Sequence, residues 1–202
     1  MRELNIYTIK KLLETNVKKS FKKEEITYLG LTSKIEIQLR DKLAFELYNE
    51  FKEKYITTRE WKNCDLAILD INTLEPVILI EFKACYSCDL TKPSTLKEYV
   101  NGIKKDIEKS KKLATSNTKF YSILFVTKPQ DIIPNNLTKI IKYSNSINSA
   151  NNKYGGSLNV ENYGDALFRC EFNNLLEGHI KKDIAFGIEC SFDFFIIINE
   201  NQ

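Results

Sequence analysis

Asp65, followed after fifteen residues by Glu81-Phe82-Lys83, is the part of the sequence best equipped for chemistry. In a strand, side chains alternate faces, so Leu79, Glu81 and Lys83 point one way and Ile78, Ile80 and Phe82 the other. An acid and an amine directly after the aliphatic run Val77–Ile80 are costly to bury unless they have partners. A neighbouring strand over Asp65–Asp70 would bring the Asp65 carboxylate beside Glu81. Two carboxylates held together repel, and a divalent cation relieves that repulsion. Such a cation can bridge a phosphodiester and an attacking water, with Lys83 orienting the water or offsetting charge as it develops. The same residues also fit an inert Glu–Lys pair at the end of a buried strand. Spacing alone leaves both readings open.

The elements that must position these residues follow from apolar periodicity. Leu4, Ile6, Ile9, Leu12, Leu13, Val17 and Phe21 predict an amphipathic helix over 4–23 with basic outer faces, which Gly30 then breaks. Thr32 or Ser33 is the expected cap of a second helix from about Lys34 to Lys54, with Ile35, Leu39, Leu43, Leu47 and Phe51 on one stripe. Asp65–Asp70 and Val77–Ala84 read as a hairpin around Asn72-Thr73 and Pro76. Pro93 and Ser94 open a long polar helix to about Ala114, and Phe120–Thr127 is a strand ended by Pro129 and Pro134. A helix is expected over Asn136–Tyr143, then a mobile Asn/Ser/Gly-rich loop over 144–157. Beyond residue 160 the order of elements stays open until a final strand at Glu189–Ile198.

Composition narrows the class. The 202 residues are 43% hydrophobic with seven Gly and four Pro, which fits one domain able to bury a core and excludes a Pro/Gly-rich disordered chain. No apolar run is long enough to span a bilayer, and Met1-Arg2-Glu3-Leu4-Asn5 lacks the apolar centre of a signal peptide, so a cytoplasmic protein with reduced thiols is expected. The net charge of +3 is small but unevenly spread. Lys97–Lys119 holds seven Lys against Glu98, Asp106 and Glu108, and residues 132–160 hold three Lys and no acid. Residues 161–202 reverse the sign, with eight acids against Arg169, Lys181 and Lys182. Such a chain can lay its basic middle along a phosphate backbone, and Lys104, Lys105, Lys109, Lys139 and Lys142 are the expected DNA contacts. Lys-rich helices are also simply solvated faces.

The Asp65…Glu81-Phe82-Lys83 hairpin resembles the motif of the PD-(D/E)XK nuclease superfamily, to which many type II restriction endonucleases belong. The resemblance covers roughly residues 34–127: the helix from Ile35 to Phe51, the hairpin, the helix bearing Lys104-Lys105-Asp106-Ile107-Glu108-Lys109, and the following strand. It implies an α/β (α+β) fold, a mixed central sheet flanked by helices with a restriction-endonuclease-like core. It implies Asp65 and Glu81 as Mg²⁺ ligands, helped by the Phe82 carbonyl, and Lys83 as the catalytic lysine. The acid often found on the first core helix maps to Glu36, with Glu46 as a competitor, while Asp70 rivals Asp65. Cys64 precedes Asp65 where the pattern has proline. The expectation is a metal-dependent endodeoxyribonuclease of restriction type acting on double-stranded DNA as a homodimer, with a possible cognate DNA methyltransferase. A repair or junction-resolving nuclease, or a catalytically silent DNA-binding module, are the alternatives. Residues 1–30 would form a helical arm, 34–127 the catalytic core, and 128–202 the rest of the sheet and the DNA-contact loops of one nuclease domain.

Weaker candidates remain. Cys85-x-x-Cys88 has the spacing of half a zinc site, but the only His, His179, is remote in sequence, so ordinary thiols are expected. His179 reads as a turn residue with no nucleophile nearby. Gly155-Gly156 lacks the rest of a phosphate-binding loop, and Trp61 is expected to pack on the core.

Overall fold

A computed structural model describes residues 3–199. Six strands form one mixed sheet in the order β1-β2-β3-β4-β6-β5. β1 (Tyr55–Trp61), β2 (Cys64–Asp70) and β3 (Pro76–Tyr86) make an antiparallel meander. β4 (Lys119–Pro129) runs parallel to β3, which requires a crossover, and the short α5 (Ser87–Leu90) followed by helix α6 (Pro93–Lys111) supplies it. β6 (Ile188–Asn199) pairs antiparallel with β4, and β5 (Leu175–Ala185) closes the far edge as a hairpin with β6. The architecture is therefore mixed α/β, a six-stranded sheet flanked by helices.

The two central strands are apolar on both faces because helices cover both. Ile78, Ile80, Phe82 and Ala84 face one core layer, shared with Leu39, Leu43 and Leu47 of α4 (Glu36–Phe51). Leu79 and Cys85 face the other, shared with Val100, Ile103 and Ile107 of α6. Trp61 packs, half-buried, at the margin of that second layer. Among the described residues, no helix is long and apolar enough to cross a membrane.

The N-terminal segment is helical over α1 (Ile6–Leu12), a π-turn (Leu13–Val17) and α2 (Lys18–Ser20). Leu4, Ile6, Ile9, Leu12, Leu13, Val17 and Phe21 are all buried in the same layer as α4. These residues, expected to form an arm, thus line the core.

Gly30 does not break a helix. It lies inside α3 (Glu25–Thr32), where a Cβ would stand 2.5 Å from Phe192 Cε1. Its role is close approach to the sheet. Thr32 and Ser33 turn back onto the Leu29 carbonyl of α3 and do not cap α4, whose N-cap is Ile35. Gly30→Ala sets a helix-propensity gain of about 1 kcal/mol against overpacking of about 1–3 kcal/mol. The Phe192 ring is fully buried, so the expected result is a net loss of stability. A lower urea midpoint at unchanged m-value would show it, and a raised midpoint would mean that the ring yields.

The Asn-rich region differs most from expectation. Asn136–Tyr143 is not a helix: a single 3₁₀ turn at Asn135–Leu137 gives way to turns that end at Tyr143 in the left-handed region. Residues 144–157, expected as a mobile loop, hold helix α7 (Ser144–Tyr154) and the start of α8 (Ser157–Arg169). Ile147 and Ala150 are buried, Tyr154 packs against the same core, and Gly155 ends α7 in the left-handed conformation. The Asn148 side chain holds the Ile133 backbone at both N–H (2.7 Å) and C=O (2.9 Å). Tertiary packing has overridden weak helix propensity here.

Candidate active site

The β2–β3 register pairs Leu66 with Ile80, so the next step places Asp65 across from Glu81. Opposed residues of an antiparallel pair share a face. Asp65 Oδ2 accepts the Phe82 N–H at 2.8 Å, which pins the carboxylate against β3. Glu81 is only 3% exposed. Its Oε1 accepts Lys109 Nζ at 2.7 Å and Ser110 Oγ at 3.3 Å. Burial, reinforced by the adjoining Asp65 carboxyl and opposed by Lys109, raises the Glu81 pKa to about 7. The two acids therefore sit in contact and in competition for charge.

Lys83 Nζ pairs with Asp106 Oδ2 at 2.5 Å and donates to the Phe82 carbonyl at 3.2 Å. Burial works against the Lys83 charge, but Asp106, with Glu36 and Asp65 behind it, outweighs burial and keeps the ammonium charged. Glu36 opens α4 and accepts a hydrogen bond from the Ala84 backbone. Burial raises its pKa, Lys83 lowers it and Asp65 raises it again, so the three groups share one electrostatic environment. The competing acids lie elsewhere. Glu46 accepts Asn16 Nδ2 at 2.8 Å, and Asp70 caps the hairpin turn through the Asn72 and Thr73 N–H groups. Of the acids considered from the sequence, Glu36 and Asp65 are thus the ones whose charge reaches Lys83, behind its direct partner Asp106.

Several site residues escaped the sequence reading. Asp106 and Ser110 lie one turn apart on the inward face of α6 (four residues apart), beside Lys109. Ile103, Ile107 and Ser110 follow helical spacing, and that stripe was the available signal. Arg40, one turn after Glu36, donates to Asp41 (2.9 Å) and Glu60 and brings Nη1 within 4.0 Å of Asp65.

The predicted DNA-contact lysines divide. Lys104 and Lys105 are exposed on α6, as are Lys139 and Lys142 in the turns before α7. Lys142 Nζ lies over the Tyr143 ring, which lines a cavity shared with Lys83. Lys109 instead turns inward, held by Glu81 and by the Asn63 carbonyl at 2.7 Å.

Asp65, Glu81 and the Phe82 carbonyl are hard oxygen donors. Among the described residues, no group of three or more His, Cys, Asp or Glu is arranged to hold a metal ion. Two carboxylates and a carbonyl suit Mg²⁺, which keeps most of its own waters, better than a cage-bound metal. Cys64, Cys85, Cys88 and Cys190 are buried free thiols, and burial pushes Cys88 up to about 12. His179 lies within β5 instead of a turn, with Nδ1 2.6 Å from Asp193 Oδ1. Comparison of the chain with family models, with curated proteins and with solved structures returns no match.

Proposed function

We propose that this protein is a metal-dependent endodeoxyribonuclease of restriction type, hydrolysing phosphodiester bonds of duplex DNA on a restriction-endonuclease-like core. The observation that carries the reading is the buried Glu81 carboxylate against Asp65, with Lys83 two residues on. Asp65, Glu81 and the Phe82 carbonyl would hold Mg²⁺. The metal would supply an activated water and neutralise phosphate charge. Lys83, charged and half-buried, offsets negative charge that builds on a phosphate oxygen in the transition state. Glu36 steadies Lys83 from α4, and Asp106 does so from α6. Lys109 neutralises Glu81 and must release it for the site to load. A homodimer would present two such sites to the two strands, and a methyltransferase would protect host DNA.

Incubation with supercoiled plasmid and phage DNA, with Mg²⁺ or with EDTA, tests this reading. Discrete Mg²⁺-dependent fragments support it, a smear replaces restriction with non-specific cleavage, and no cutting overturns it. DNA binding should weaken steeply with salt, since each neutralised phosphate adds about 0.9 to the slope of log K against log salt. Lys104→Ala with Lys105→Ala is expected to flatten that slope by about 1–2. An unchanged slope would place the DNA elsewhere.

A further inference from the structure

Beside Lys83 lies a second feature that the hydrolytic site does not use. A cavity of about 390 Å³ is lined by Lys34, Lys83, Tyr99, Gly102 and Tyr143, with Asp89, Thr95 and Glu98 around them. Lys34 donates to the Tyr99 hydroxyl, and its nitrogen lies 5.0 Å from the Tyr99 ring centre and 5.7 Å from that of Tyr143. Among the described residues, Lys34 forms no ion pair. Asp89 is engaged by the Tyr86 N–H (3.1 Å) and the Tyr99 hydroxyl (3.4 Å), and Glu98 is exposed. A half-buried ammonium between two aromatic faces, without a carboxylate of its own, is charge left for a ligand.

Two backbone features hold the cavity open. Tyr143 adopts φ 60°, a conformation that bulky residues rarely take. It is fixed there by the Lys142 N–H on the Leu31 carbonyl (2.9 Å) and by ring contact with Tyr86 at 5.3 Å. Gly102 sits inside α6, where glycine costs about 1 kcal/mol relative to alanine. Packing does not require it, since a Cβ there would meet only Lys83 Cε, at an ordinary 3.7 Å. Its absent side chain leaves the wall low beside the catalytic lysine.

We propose that this cavity receives one unpaired nucleotide next to the cleaved bond, its base stacked on Tyr143 and Tyr99 and its phosphate on Lys34. The volume of about 390 Å³ falls in the range of small-ligand sites, about 300–1,000 Å³, and suits a ligand the size of one nucleotide. Aromatic faces with a free cation match a flat base that carries an anion. This rests on the nuclease reading and adds that one nucleotide beside the cut is held out of the duplex in this cavity.

Binding in EDTA separates the two ideas, because no cleavage is needed. Fluorescence anisotropy would compare a labelled duplex carrying a single unpaired adenosine with its fully paired counterpart. The wild-type protein is expected to bind the bulged duplex about tenfold tighter, within the range of one base–aromatic stack. Tyr143→Ala should erase that preference and Tyr143→Phe should keep it. Gly102→Leu, which fills the cavity from a helical position, should also erase it without weakening the paired duplex. Equal wild-type affinity for both duplexes, or a preference that survives Tyr143→Ala and Gly102→Leu, overturns the pocket and leaves the nuclease reading standing. Failure to bind either duplex overturns both.

Discussion

Lys83→Ala is expected to lower single-turnover DNA cleavage by about 10²–10³-fold or more, while divalent metal still binds. An ammonium is not a metal ligand, and in the proposed nuclease its contribution would fall on the negative charge that develops on the phosphate oxygens. Its partner Asp106 loses an ion pair but is only partly exposed, so a thermal midpoint must accompany the assay. Asp65→Ala and Glu81→Ala should differ in kind. Both remove an oxygen donor, so cleavage and calorimetric metal binding should fail together. DNA affinity should hold or rise, because an acid beside the phosphate has gone. Glu36→Ala, acting through Lys83, should reduce the rate less. Cleavage by Lys83→Ala at the wild-type rate would end the nuclease reading of this motif.

The largest effect on stability should come from Lys128. Its ammonium is nearly inaccessible, 2.6 Å from Asp165 Oδ2 and 2.8 Å from Asp193 Oδ2, and it ties α8 to the β4–β6 end of the sheet. Removing one partner of a buried ion pair costs about 3–5 kcal/mol, because the other charges stay behind. For Lys128→Met, a fall in thermal midpoint of about 6–20 °C is expected. Burial already holds the Asp165 carboxyl above its ordinary range in spite of Lys128, and one of its oxygens has no partner. Without Lys128 the folded pKa rises further while the unfolded value stays. Folding then favours the protonated acid, and stability is lost as pH rises from the unfolded towards the folded value. The deficit should thus be smaller near about pH 5 than near about pH 8. Adding Asp165→Asn should recover part of it at the higher pH. An additive double mutant, or a deficit independent of pH, would show that these charges are not coupled.

Where local pattern and tertiary context agree, the sequence alone was sufficient. The apolar stripe of α4, the run Val77–Ile80, Pro93 at the start of α6 and Phe120–Thr127 each have one way to bury their side chains, and each occurs as an element in the structure. Period-two alternation likewise put Glu81 and Lys83 on one face and Phe82 on the other, and hairpin pairing put Asp65 beside Glu81. The sequence places the helix acid at Glu36, with Glu46 still a competitor. Both lie near the same stripe, and only the distance from the first turn of α4 to β3 separates them. The inward turn of Lys109, the anchoring of Lys83 by Asp106 and the Arg40 network depend on contacts between elements far apart in sequence, which periodicity does not encode. The Asn/Ser stretch misled for a related reason: its helix exists because Ile147, Ala150 and Tyr154 find a surface to bury against. Gly30 shows the same principle in reverse. Its type signals a break, but its neighbour Phe192, more than 160 residues on, makes it a point of contact.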